Sequence, residues 1–288
     1  MQTSNSGIHH VSVGDIIVTA LNDGVAEGSV DLLAGLPAAE AEALLRSEFR
    51  KLPPRLTISA FLLTIGGKHV LIDGGSGSAM GPGHGMLHTH LATLGIDPGA
   101  IDTVLVTHAH IDHVAGLIDD AGGARFPNAE LVINAAERDF WLDAGIAAAA
   151  PEPARASFAL ATRCLTPYGN RTRTVTHGEA ALPGVVVHHL PGHTPGHSGW
   201  MLSSGSDSML IWGDVVHMPG VQFARPEAGM VFDVDTEQGR ASRARAFDMA
   251  ATDKLRVAGM HLDFPTFGHV VRAGSGYAFI PEVWAPGV

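Results

Sequence analysis

Apolar residues fall in short runs separated by turn-forming residues, and the runs are of two kinds. Ile16 to Ala20, Ile58 to Ile65, His69 to Ile72, Thr103 to Thr107, Leu131 to Ile133, Val185 to His189, Trp200 to Leu202 and Met209 to Trp212 read as strands. Several are apolar almost without a break, the pattern of strands covered on both faces. Between them, apolar residues recur at helical spacing. Pro37 to Phe49 opens on a proline suited to the first helical position. His88 to Leu94 stops at Gly95, and Ala135 to Ala144 follows the N-cap residue Asn134 and stops at Gly145. Ala154 to Leu165 is alanine-rich, and Thr236 to Ala251 follows Asp235, with Gln238 placed to complete a capping box.

Alternating strands and helices predict an α/β fold. Only Gly66 and Gly67 separate two of the strands, a hairpin signal, so the sheet is expected to be mixed. There is no low-complexity linker and no short-period repeat, so residues 1–288 read as one domain, with a mobile loop at Ala147 to Pro153. No apolar run approaches the roughly 20 residues of a membrane helix.

Composition narrows the function. Apolar residues make up 45% and charged residues 16%, enough for a core. A net charge of −11, from 29 acidic against 18 basic residues, argues against a nucleic-acid partner, because phosphate affinity comes from Lys and Arg. Met1 to His10 lacks a basic stretch followed by an apolar one, so a cytoplasmic location is expected. One cysteine, Cys164, excludes an internal disulfide framework and a multi-cysteine zinc site, and reads as a small buried residue. The 17 histidines nearly equal Lys and Arg together, and their distribution carries the chemistry.

His108-Ala109-His110-Ile111-Asp112-His113 follows the strand at Thr103 to Val106 and precedes an apolar stretch, Val114 to Ile118, read as a helix. Two histidines spaced by one residue point the same way on extended backbone and can grip one ion. Asp112 and His113 open the next helix and can face a second. Neutral imidazole suits zinc and its neighbours, and a carboxylate oxygen complements it. Three later residues end apolar strands in turn-like surroundings: His193 in Pro191-Gly192-His193-Thr194-Pro195-Gly196-His197, Asp214 in Trp212-Gly213-Asp214, and His261 in Gly259-Met260-His261. Nine other histidines, from His9 to His189, stand in no ligand context.

In this order the motifs resemble the metallo-β-lactamase superfamily, over Ile17 to His269. Phe126-Pro127-Asn128-Ala129, Glu137-Arg138-Asp139-Phe140-Trp141, Asp214-Val215-Val216-His217 and His261-Leu262-Asp263-Phe264-Pro265 resemble most the branch of methyl parathion hydrolase and related lactone and aryl-ester hydrolases. The resemblance implies an αββα sandwich of two mixed sheets flanked by helices, with the site at one sheet edge. It implies two divalent ions, zinc first and manganese, cobalt or iron as alternatives. His108, His110 and His193 would hold one ion, Asp112, His113 and His261 the other, and Asp214 would bridge them. Asp73 would orient a ligand histidine, and His197 and His269 are candidates for the same supporting role. Relatives are often dimers, which makes a homodimer the oligomer implied.

Two ions about 3.5–4 Å apart lower the pKa of a shared water, and hydroxide then attacks a polarised carbonyl or phosphoryl oxygen. Asp112 is expected to position that hydroxide and to pass its proton to the leaving oxygen. His217 stands where acyl-homoserine-lactone lactonases carry a tyrosine aimed at the substrate carbonyl, and is read as a second catalytic group. The expected substrate is a small hydrophobic lactone or aryl ester. Organophosphate triesters and acyl-homoserine lactones are the alternatives. Trp141, Phe140, Phe223, Phe232 and Phe264, with Phe267, are candidates to line its pocket. A complete ligand set argues against a mononuclear iron dioxygenase and a non-catalytic relative, and the charge against a nuclease.

Overall fold

Strands form where Val, Ile and Leu concentrate, and they assemble into two sheets. The computed structural model describes residues 5–287. The leader reading of Met1 to His10 rests partly on residues 1–4, outside the described residues. The first part of the chain supplies β1 (Ile8–Val13), β2 (Ile16–Glu27), β3 (Leu33–Ala34), β4 (Arg55–Ile65), β5 (Lys68–Ile72), β6 (Ile101–Leu105), β7 (Glu130–Asn134) and β8 (Thr172–Val175). The rest supplies β9 (Ala180–Leu182), β10 (Val185–His189), β11 (Ser198–Ser204), β12 (Asp207–Ile211), β13 (Gly229–Met230), β14 (Arg256–Ala258), β15 (Phe267–Ala273) and β16 (Gly276–Pro281). One seven-stranded sheet has the order β1-β2-β4-β5-β6-β7-β8, the other β16-β15-β14-β12-β11-β10-β9, and β3 pairs with β13. Both are mixed: β5 to β8 run parallel beside antiparallel neighbours, and β12 and β14 are parallel in an otherwise antiparallel sheet. The Gly66-Gly67 turn joins β4 to β5, both glycines at positive φ (56° and 81°), as a tight hairpin requires.

Three apolar layers explain the unbroken runs. Phe61, Ile72, Leu105 and Val132 of the first sheet meet Val187, Trp200, Ile211 and Phe267 of the second in a core between the sheets. Leu62, Leu71, Val104 and Leu131 face outward under the helices Leu87–Thr93 and Glu152–Leu165. Leu210, Val257 and Val270 face outward under the helix Thr236–Thr252. This is the expected αββα sandwich.

Four local expectations change. The stretch Ala135 to Ala144 is not one helix: it ends at Leu142, and a second helix, Ala144–Ala149, contains Gly145. Asp143 is extended between them and its side chain accepts the Ile146 N–H at 2.8 Å, so it caps the second helix. The loop read at Ala147 to Pro153 is mostly helical, because alanines favour helix and proline is tolerated in a first turn. After the ligand-rich segment, one α-turn (Ile111–Val114) gives way to a 3₁₀ turn (Ala115–Leu117) rather than a longer helix. There Gly116 lies so close to Gly74 that a Cβ would stand 2.0 Å from the Gly74 carbonyl oxygen. Finally, β1, β8, β9, β14, β15 and β16, with the two-residue strands β3 and β13, escaped the apolar-run criterion. β1 carries two histidines, and β16 is an edge strand that buries little.

Among the described residues, no helix is long and apolar enough to cross a membrane. Asp73, His108, His193, Asp214 and His261 all follow the C-terminal ends of strands: β5, β6, β10, β12 and β14. Loops at the carboxyl ends of strands are where α/β sheets place their ligands. Phe61 is fully buried and packs edge-on against Phe267 at 5.8 Å. Phe61→Ala is therefore expected to cost about 3–5 kcal/mol in urea unfolding. Val283→Ala, at a side chain 89% exposed, should stay within about 0.5 kcal/mol of wild type in the same measurement.

Candidate metal centre

The segment after β6 is held from below by one carboxylate. Asp73, at the end of β5, accepts the Thr107 N–H (2.8 Å), the Thr107 hydroxyl (2.7 Å) and the His113 Nδ1–H (2.7 Å). It does so at φ 61°, a left-handed conformation that aspartate tolerates better than most residues. Thr107 passes the order on, its Oγ1 lying 3.1 Å from His108 Nδ1. His193 is fixed by Asp233, 2.8 Å from its Nδ1. Its loop can lie on the start of the Thr236–Thr252 helix only because of Gly192, where a Cβ would meet the Gly239 nitrogen at 1.9 Å. His261 Nδ1 reaches the Thr57 carbonyl at 2.7 Å. His197 donates from Nδ1 to the Leu190 carbonyl (2.8 Å) and accepts the Asp214 amide at Nε2 (2.8 Å). Burial, aggravated by His193, lowers its pKa to about 3, in keeping with that neutral tautomer.

These anchors turn the other ring nitrogens inward. Asp214 Oδ2 lies 3.4 Å from His108 Nε2, 3.3 Å from His113 Nε2, 3.4 Å from His193 Nε2, 3.2 Å from His261 Nε2 and 3.1 Å from His217 Nε2. His108 Nε2 is 3.1 Å from His110 Nδ1 and 3.2 Å from His193 Nε2. The donor atoms of His108, His110 and His193 form one compact group, those of Asp112, His113 and His261 a second, and Asp214 joins both halves. The seven residues expected as ligands thus converge. Asp112, with 16% of its side chain exposed, is the carboxylate of the cluster that faces outward.

The electrostatics are those of a cation cradle. Asp214 Oδ1 and His113 Nε2 are buried without a protein hydrogen-bond partner, a costly arrangement unless a positive ion meets them. Burial first, then neighbouring histidines, hold His108 and His110 well below the ordinary imidazole pKa, leaving their lone pairs free. Burial opposes the charged forms of Asp214 and Asp112, but the surrounding histidines hold both carboxyls below their usual range. Burial would lower His193 too, yet hydrogen bonds to Asp214 and Asp233 push it up to about 9. Imidazole nitrogens, once free of protons, with carboxylate oxygens suit zinc-like divalent ions, so these residues fit the two-ion group.

Not every candidate joins the cluster. Phe232 does: its ring stands edge-on to His217 (5.2 Å), His193 (5.7 Å) and His110 (6.3 Å), and it remains 40% exposed. Trp141 touches His110 at 5.6 Å but is buried, its indole N–H donating to Glu137, so it supports His110 rather than lining a mouth. Phe140 packs on Trp141 and Phe158 in the helical layer. Phe223 stacks between Phe247 and Phe279 in the outer core, and Phe264 and Phe267 pack on the core between the sheets. Aromatic rings carry the largest apolar area to bury, and these four satisfy the core first. His269 is half-buried in β15 opposite Arg256 and Ile280, with no side-chain hydrogen bond to the ligands.

Three supporting residues escaped the sequence reading. Glu137 is fully buried and accepts the Ala109 N–H (2.9 Å), the Trp141 indole (2.7 Å), the Thr194 hydroxyl (2.6 Å) and the Gly196 N–H (3.0 Å). It clamps the loops bearing His108, His110 and His193 to each other. Three residues after the N-cap Asn134, it carries only the signal of a capping box. Asp233 has no local signal. Gln222 accepts the His217 and Met218 amides at 2.7 and 3.0 Å from a helix too short to read in sequence.

Glu137→Gln would set an amide N–H against other N–H donors at one end of the clamp. It is expected to weaken metal affinity about 10–100-fold in competition with a chelator, as loss of an outer partner does. The raised pKa of His193 makes binding proton-linked. At pH 7 its imidazole is protonated in the metal-free protein, and an ion needs that lone pair. At least one proton should be released on zinc binding, read by calorimetry in buffers of different ionisation enthalpy, and affinity should rise with pH up to about 9.

The comparisons with known proteins agree with this geometry. The family model of the metallo-beta-lactamase superfamily matches residues 53–261. The solved structure of AbOPH, a hydrolase in the beta lactamase superfamily, is 33% identical with a TM-score of 0.93, covering 98% of this chain and 100% of that one. AidC, a dizinc quorum-quenching lactonase, is 26% identical with a TM-score of 0.91, covering 97% and 98%. A segment of 62 residues, 22% of this chain, is 47% identical to Ribonuclease TTHA0252 of Thermus thermophilus, but spans 13% of that protein's length. A family match that runs through all seven candidate ligands, and a superfamily hydrolase matched over 98% of this chain, establish that this chain belongs to the metallo-beta-lactamase superfamily and is a metal-dependent hydrolase of it.

Proposed function

We propose that the protein opens lactones or cleaves aryl esters of small, uncharged, apolar molecules. The observation that carries this is Phe232, an aromatic face 40% exposed and set against three histidines of the cluster. Ile111 on the ligand loop and Val231 and Val234 beside Phe232 are also exposed, so apolar groups border the cluster. Apolar contact there would hold an acyl or aryl group, at roughly 25 cal/mol per Å² removed from water. The likeness to a dizinc lactonase supports the same class.

Divalent ions in this cradle, zinc in our reading, would supply hydroxide near neutral pH and a Lewis acid for the substrate's carbonyl oxygen. His108, His110 and His193 would hold one, Asp112, His113 and His261 the other, with Asp214 between. The chain's own part is then positional. Asp112, kept ionised by His113 and His261, is the outward carboxylate and accepts the proton that passes to the leaving oxygen. His217 stays neutral at pH 7, since burial lowers its pKa to about 4 despite Asp214. Its Nδ1 has no protein partner and would meet the substrate's oxygen.

The test is a hydrolysis panel on zinc-loaded protein: aryl esters, aromatic and aliphatic lactones, homoserine lactones and phosphotriesters. We expect kcat/KM for a lactone or aryl ester to exceed that for phosphotriesters at least tenfold. Preference for the phosphotriester would overturn the reading. Phe232→Ala should raise KM for the best substrate about tenfold, the equivalent of about 1.4 kcal/mol of lost apolar contact. His217→Leu should shift the lactone-to-phosphotriester ratio toward the phosphotriester.

A further inference from the structure

Five imidazoles point a nitrogen at Asp214 Oδ2, but the expected ligand set uses only four of them. The fifth, His217, has the shortest approach of all, 3.1 Å. That approach is not aligned as a hydrogen bond: His217 Nε2 has no hydrogen-bond partner, although it is buried. His113 Nε2 shows the same combination at 3.3 Å from Asp214 Oδ2, and it belongs to the ligand set. Closeness without hydrogen-bond alignment is what two donor atoms show when both address one ion between them. The His217, His193 and Asp214 donor atoms form a compact group of their own. The His217 ring lies flat over His261 at 5.0 Å (22° between planes) and 4.8 Å from His193, so it stands between the two halves of the cluster.

A second observation separates His217 from its neighbours. The other four imidazoles around Asp214 are each held from behind at Nδ1: His108 by Thr107, His113 by Asp73, His193 by Asp233 and His261 by the Thr57 carbonyl. Such outer partners fix a ligand's tautomer and orientation. His217 Nδ1 has none. Only its backbone is secured, by Gln222.

We propose that His217 is an eighth metal ligand, binding through Nε2 an ion that it shares with His193 and Asp214, and that it is the labile one. The proposal rests on the two-ion reading above. Ligation at Nε2 leaves the ring proton on Nδ1, so the same imidazole becomes a donor on its outer side. Without an outer partner the ring is held by packing alone, less firmly than the anchored histidines. It therefore fills a coordination position that a substrate oxygen can take from it, whereas the anchored histidines remain in place.

The test uses Co²⁺ alone as the probe, added to metal-stripped full-length protein, with the visible absorption spectrum and the affinity of each ion as readouts. In His217→Leu the absorption is expected to strengthen, because absorptivity rises as coordination number falls. The affinity of one of the two ions should drop at least tenfold, the lower bound set by loss of a mere outer partner. In His217→Ala, added imidazole should restore the wild-type spectrum. Phe232→Leu, which alters packing on the ring but not the ring, should leave the spectrum unchanged. If His217→Leu does not fold by circular dichroism, His217→Asn, whose amide is too short to reach the ion, carries the same test. A spectrum and affinities unchanged within twofold overturn the proposal, as does an equal effect of Phe232→Leu. Wild-type protein that fails to bind two ions overturns the two-ion reading itself, whereas two ions bound with no effect of His217→Leu overturn only the ligation.

Discussion

A single carboxylate oxygen, Asp214 Oδ2, collects five imidazole nitrogens from four separate segments of the chain. That arrangement is the constraint to which the surrounding structure answers. Lone pairs crowded within 3.1–3.4 Å of an anion, and buried, are unfavourable without compensation from a cation and from rigid support behind each ring. The support comes from the ends of strands. β5, β6, β10, β12 and β14 all terminate at one edge of the sandwich, and each delivers at least one polar residue there. Strand ends are stiff because their preceding residues lie in cores closed on both faces.

The outer groups are chosen with some economy. Asp73 and Glu137 each satisfy several donors from ligand loops rather than one, so each loop is fixed in more than one direction. Asp233 and the Thr57 carbonyl complete the set from the other half of the chain and from β4. Three glycines permit the closest contacts, Gly116 against Gly74, Gly192 against Gly239 and Gly196 against Glu137, and all three lie in loops that carry or support the cluster. Precision at the cluster thus depends on backbone approaches that a single methyl group would prevent.

The aromatic residues divide along the same line between fold and function. Phe140, Phe223, Phe264 and Phe267 serve the cores, Trp141 stiffens one ligand, and Phe232 alone among the six meets both histidines and solvent. An apolar face beside a strongly polar cluster suits a substrate with one reactive carbonyl on an otherwise hydrophobic body. His217 stands between these two environments, touching Phe232 on one side and Asp214 on the other.

The candidate ligands were legible in the chain itself because their backbone context is local. A histidine or aspartate after an apolar strand and a tight turn points outward whatever the rest of the protein does, and His108, His110, Asp112 and His113 lie within six residues. The sandwich was legible in its longest strands for the same reason: an unbroken run such as Ile58 to Ile65 needs cover on both faces. Glu137, Asp233 and the bare Nδ1 of His217 were not legible, and neither was the sorting of the aromatics. Those depend on which distant segment arrives behind or above a side chain: Gly196 lies 59 residues from Glu137, and His193 lies 40 from Asp233. Local sequence determined which groups are available to bind an ion. Only the packing of the two sheets decided which of them are anchored from behind and which are not, because anchoring is a contact between segments and leaves no periodicity in either one.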